Sequence, residues 1–188
     1  MIQGDALPTL DAPRVRLRWL TARDVDAIYA IFSDPQMMKY WSTPPMKARA
    51  EAEDLLVRIH RQFADKSGFQ WGVERRSDGE LLGTCTLFSI HAANMRAEVG
   101  YCLHSAHWGQ GYMREALSEL IGYAFGVLKL RRLEADVDPN NAASLGILAR
   151  MGFQREGLLR ERWNVGGDVQ DSVLLGLLAR EWKGRADS

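Results

Sequence analysis

The stretch "SAHWGQGYMREAL", residues 105–117, decides the fold. Gly109 and Gly111 flank a single glutamine where a helical period begins, and no Ser, Thr, Asp or Asn stands beside them to cap it. A glycine-rich turn that opens a helix gathers backbone N–H groups with no intrahelical partner. The helix dipole behind them favours an anion, most often phosphate. The missing cap then reads as one that a ligand supplies, although turn geometry alone accounts for two glycines equally well.

Upstream, "RAEVGYCL" (96–103) reads as a strand. Downstream, Met113, Leu117, Leu120, Ile121, Ala124 and Leu128 mark a helix that leads to a second strand, "RRLEADV" (131–137). Strand, helix and strand make a βαβ unit with parallel flanking strands.

Farther out, "VRLRWL" (15–20) alternates as a half-buried strand. Thr21 and Asp24 form a capping box before the helical "ARDVDAIYAIF" (22–32), which Ser33-Asp34-Pro35 ends. The segment 36–45, "QMMKYWSTPP", reads as a loop, and 46–65 regains a helical period through Leu55, Ile59 and Phe63. "FQWGVER" and "LLGTCTLFSI" form a hairpin around "SDGE". Residues 138–153 carry a shorter helix with Asn141 as N-cap and Gly152 as C-cap, and a last hairpin turns at "NVGGD". The expected organisation is a flexible leader (1–13), one domain (14–180) and a C-terminal tail (181–188).

Composition excludes several classes of function. The chain has 188 residues, 46% of them apolar, and 24 basic residues balance 24 acidic ones, so no global field recruits nucleic acid or an anionic membrane. No apolar run approaches the roughly 18 residues of a spanning helix. The opening "MIQGDALPTLDAP" lacks the apolar core of a signal peptide, and Cys85 and Cys102 are too few for a disulfide framework, so a reducing cytoplasm is expected. His104 and His107 lack the partners of a metal site, and none is expected. "GQGYMRE" has neither the lysine nor the hydroxyl of a P-loop, and Arg114 stands where a dinucleotide fingerprint needs its third glycine.

The order of elements, with "GYCLHSAHWGQGYMREAL" and "DPNNAASLGILARMGFQREGLLR", resembles the GCN5-related N-acetyltransferases, within them the RimJ/RimL-like branch acting on ribosomal-protein N-termini that begin with Ala or Ser. The likeness spans residues 14–180. It implies an α+β, α/β/α fold with a mixed, largely antiparallel sheet of about seven strands and four main helices. Two central parallel strands would splay to bind acetyl-CoA. The resemblance sets the pyrophosphate on the N–H groups of Trp108, Gly109, Gln110, Gly111, Tyr112 and Met113, where Met113 replaces a small residue. It gives Leu103 to the pantetheine and matches Asn141 and Ser144 to the cofactor-contacting "Asn-x-x-Ser".

Transfer from a thioester to an amine needs a neutral nucleophile, a stabilised oxyanion and a proton for the thiolate. An α-amine, with a pKa of about 7.7–8 against about 10.4 for lysine, needs the weaker base. Glu98, beside the expected cleft, is the candidate base. Relatives carry an acidic tyrosine where Leu148 stands, which leaves Ser144 or water as the donor. Some place a base near Trp163, with Glu161 two residues away. Trp41, Tyr101, Glu98 and Trp163 are the candidates for the acceptor wall.

The expected reaction is direct transfer from acetyl-CoA to a protein N-terminus in a ternary complex, by a monomer or homodimer. Acetylation of a small amine (antibiotic, polyamine or amino acid) and non-catalytic acyl-CoA binding stay open.

Overall fold

In the computed structural model, which describes residues 4–184, one eight-stranded sheet runs in the order β1-β2-β3-β4-β5-β6-β8-β7. The strands are β1 (Leu10–Asp11), β2 (Val15–Arg18), β3 (Phe69–Arg75), β4 (Leu81–His91), β5 (Arg96–Leu103), β6 (Arg132–Val137), β7 (Gln154–Val165) and β8 (Asp168–Leu178). The helices are α1 (Val25–Ser33), α2 (Pro35–Met38), α3 (Arg49–Ala64), α4 (Tyr112–Gly126) and α5 (Ala142–Arg150).

Every neighbouring pair is antiparallel except β5 and β6, which run parallel and pair only at Arg96–Arg132, Ala97–Leu133 and Glu98–Glu134. Beyond Glu98 the two strands part. Alternation along β5 sends Ala97, Val99 and Leu103 into the core shared with α4 and α5, whereas Cys102 packs on the opposite face with α1, α2 and α3. Glu98 lies two steps of two from Cys102 and shares that second face.

Two expectations need correction. Seven strands account for β2 to β8, and the eighth is a two-residue strand in the segment read as a flexible leader. Its described part, residues 4–13, is docked: Leu7 and Ala12 are buried, and the Trp71 indole N–H donates to the carbonyl oxygen of Pro8 at 2.9 Å. A leader anchored by apolar contacts escapes a search for periodicity. In the segment read as a loop, the structure has α2: Asp34 caps it by accepting the Gln36 N–H at 2.9 Å, and Pro35 occupies its first turn. Residues 1–3 of the leader and 185–188 of the expected tail lie outside the described residues. Among the described residues no helix is long and apolar enough to cross a membrane.

Candidate active site

The opening turn carries the clearest geometry. Gly109 (φ 74) and Gly111 (φ 82) both sit in the left-handed region, where any side chain with a Cβ is strained. A short 3-10 turn, Ser105–His107, precedes them, and Gly111 is the N-cap of α4 with no side-chain cap. Trp108 departs from its expected role, because its N–H is spent inside the turn on the Ser105 carbonyl at 3.1 Å. The next N–H with a protein acceptor is that of Glu115, which reaches Gly111 at 3.3 Å. Among the described residues, the N–H groups of Gly109 through Arg114 have none. Six donors at the positive end of a 15-residue helix fit an anion of more than one charge.

Met113 fills the core instead of crowding the turn. It is buried, and the Cys85 thiol lies 3.5 Å from its sulfur. Burial pushes the Cys85 thiol well up and the Cys102 thiol up to about 11, so neither is a nucleophile near neutral pH.

The strand leading into the turn supplies further free backbone. His104 donates to Leu82 at 2.9 Å, which makes that pair a hydrogen-bonded one; the alternation of an antiparallel ladder then makes Gly83–Leu103 and Cys85–Tyr101 the non-bonded pairs. Leu103 and Tyr101 therefore direct their N–H and C=O groups away from β4, into the opening beside β6. The Leu103 carbonyl is already taken by the Trp108 indole N–H at 2.7 Å. That leaves the Leu103 N–H and both Tyr101 groups facing the gap, as an extended ligand requires.

Asn141 caps α5 by accepting the Ser144 N–H at 3.1 Å, and the Ser144 hydroxyl lies 2.6 Å from the Tyr101 hydroxyl. Tyr101 thus faces α5. It lies across the sheet from Glu98, so the two do not wall one acceptor site. Burial raises the phenol's pKa, and the Ser144 hydrogen bond offsets only part of that. The Glu98 carboxylate has no hydrogen-bond or ion-pair partner among the described residues, whereas Glu134 beside it is held by Arg96 at 2.5 Å and Arg132 at 2.7 Å.

The two tryptophans of the expected acceptor wall pack on different partners. Trp41 packs edge-on to Phe32, with 5.7 Å between ring centroids. Trp163, 40% exposed, donates to Asp136 at 3.3 Å beneath the Arg162 guanidinium. Glu161 sits at φ 53 where the β7–β8 register shifts, and its N–H binds Asp171.

Two features escape the sequence. A cleft of about 660 Å³ adjoins the turn; its lining includes Arg14, Arg114, Arg150 and Trp182, together with the carboxylates Glu115 and Glu181. Arg14 is paired with Glu115, but Arg114 and Arg150 have no carboxylate partner among the described residues. Asp34 is the second: beyond capping α2, it accepts the Ser105 N–H at 2.9 Å and so ties that helix to the turn. Burial opposes its charge, but the bonds from Ser105 and Gln36 outweigh that and hold the carboxyl below its usual range.

A family model described as an acetyltransferase (GNAT) domain matches residues 14–154. "Uncharacterized N-acetyltransferase p20" of Bacillus licheniformis is 35% identical over 95% of this chain and 100% of its own. "Putative ribosomal N-acetyltransferase YdaF" of Bacillus subtilis is 31% identical over 90% of this chain and 94% of its own. "Spermidine N(1)-acetyltransferase" of Escherichia coli is 27% identical over 91% and 89%. Among solved structures, "Mycobacterium smegmatis RimJ in complex with CoA-disulfide" superposes with a TM-score of 0.85 at 28% identity, covering 97% of this chain and 91% of that one.

Proposed function

The chain belongs to the GNAT acetyltransferases, and from that premise we propose that it transfers acetyl from acetyl-CoA to the N-terminal α-amine of a protein, ribosomal proteins opening on Ala or Ser foremost. The observation that carries the cofactor half is the row of free N–H groups from Gly109 to Arg114 at the mouth of the parted strands. These donors take the pyrophosphate. The free backbone groups of Tyr101 and Leu103 pair with the pantetheine amides, and Arg114 and Arg150 face the phosphorylated nucleotide end.

When bound, acetyl-CoA supplies the activated acyl group. Glu98 takes a proton from the incoming ammonium, directly or through water, from the face of β5 that looks toward α1 and α3. Ser144 hydrogen-bonds the departing sulfur from the α5 face. The amine and the thiol thus approach and leave on opposite sides of the sheet, and both substrates are held in a ternary complex before transfer.

An α-amine suits a single carboxylate base because about half of it or less is still protonated at pH 8 and above, unlike lysine. The relative named for ribosomal acetylation spans nearly the whole chain and supports this acceptor. The relative named for spermidine supports a small polyamine as the second reading. Thiol release with acetyl-CoA against peptides beginning in Ala or Ser, the same peptides blocked at the N-terminus, and spermidine separates them. Turnover on free N-termini only is expected; turnover on spermidine and not on peptides would overturn the acceptor.

A further inference from the structure

We infer that Tyr101 is a positioning residue for thiol departure, which it serves by fixing the polarity of the Ser144 hydroxyl; this rests on the acetyl-transfer reading. A serine hydroxyl has one hydrogen and two acceptor sites. Were Ser144 to give that hydrogen to Tyr101, it would have none for sulfur.

The surroundings of the phenol decide the direction. Among the described residues, the acceptors of the Tyr101 hydroxyl are both on Ser144: its Oγ at 2.6 Å and its carbonyl oxygen at 3.4 Å. Either hydroxyl can donate in the short bond; because the carbonyl at 3.4 Å is the poorer acceptor for the phenol's single hydrogen, we assign the 2.6 Å bond as running from Tyr101 to Ser144 Oγ, which leaves the Ser144 hydrogen for the departing sulfur. Asn141 holds the backbone of the same serine through its N–H. Backbone and side chain of Ser144 are thus fixed by separate partners, and a donor that is itself accepting a hydrogen bond is the stronger for it.

The step balances without a net proton from either hydroxyl. The amine lone pair forms the C–N bond, and the C–S bond breaks with its electrons on sulfur. The proton shed by the amine nitrogen reaches the thiol through base and solvent. Tyr101 and Ser144 end with the hydrogens they began with.

The test is the titration of CoA bound to the enzyme, followed by thiolate ultraviolet absorbance. In the wild type the bound thiol is expected to titrate below the value of free CoA measured in the same buffer. Tyr101→Phe keeps the ring, and is expected to raise the bound value and lower kcat about tenfold to a hundredfold, with the KM for acetyl-CoA within about twofold. Ser144→Ala should do the same, and the double variant should be no worse than Ser144→Ala alone. Should Tyr101→Phe fail to fold, Ser144→Ala still reports the bound thiol.

An unchanged titration and kcat in Tyr101→Phe, or a full additional loss in the double variant, would overturn the inference. Wild-type protein that binds CoA but acetylates no amine sinks the acetyl-transfer reading, and the titration then still reports on the hydroxyl pair.

Discussion

The indole N–H of Trp108 donates to the carbonyl oxygen of Leu103 at 2.7 Å, so the first residue of the glycine turn closes over the last residue of β5. Although its ring is 49% exposed, its polar edge is fixed. Trp108→Phe keeps an aromatic ring, smaller than the indole, and frees that carbonyl beside the N–H proposed for the pantetheine. CoA affinity is expected to fall about fivefold, in line with about 1 kcal/mol for one hydrogen bond, as read by calorimetric titration. Unchanged affinity would separate the turn's shape from this bond.

Gly109 offers a test of backbone alone. A Cβ there meets nothing within 4 Å, yet φ is 74. Gly109→Ala is expected to cost about 1–2 kcal/mol from the left-handed conformation, felt mainly as roughly tenfold weaker CoA binding as the turn relaxes and its donors scatter. At Gly111 the added carbon would also meet the Arg14 guanidinium at 3.1 Å, so Gly111→Ala should additionally lower the thermal midpoint.

Glu98→Gln keeps the shape of the side chain and removes its basicity. We expect kcat to fall about a hundredfold, CoA affinity to hold and the acid limb of the pH–rate profile to disappear. A variant with the wild-type profile would exclude Glu98 as base.

Arg150→Ala and Arg114→Ala should weaken CoA about tenfold and 3′-dephospho-CoA little, if these unpaired guanidinium groups read the terminal phosphate. The preference of the wild type for CoA should shrink as salt rises. Equal weakening of both ligands would assign the arginines to the pyrophosphate instead.

Asp34 predicts an acid dependence. Its folded pKa lies below the ordinary 3.8, so its contribution is complete above that value and is lost as the pH falls through the lower folded one. Asp34→Ala should cost about 1.5 kcal/mol near neutrality, a drop of roughly 3–6 °C in thermal midpoint for a chain of this size. The gap between variant and wild type should close on acidification, as melting curves across pH 2–7 will test.

The elements with a strong period were legible. β3 and β5 fall where "FQWGVER" and "RAEVGYCL" place them, and Asn141 caps α5. Local chemistry writes such features: alternation, capping side chains, glycine in turns. What stayed hidden depends on residues far apart in sequence. The unpaired arginines of the cleft come from α4 and α5, 36 positions apart by number, and the Asp34 bond to Ser105 spans 71. Tyr101 was legible as a residue beside the cleft, but which face it takes follows from the strand register, and register is set by pairing.

The three residue pairs that join β5 to β6 have a consequence for the folded state itself. They are a seam between a five-stranded block and a three-stranded one, held otherwise by the shared core beneath α4 and α5. An extended ligand that binds the facing edge completes this seam. At a hundred times its dissociation constant it would add about 2.7 kcal/mol to stability, and slow amide exchange along β6 far from any reacting atom. Resistance to proteolysis at this seam is therefore expected to rise with CoA concentration, as limited digestion with and without CoA will test.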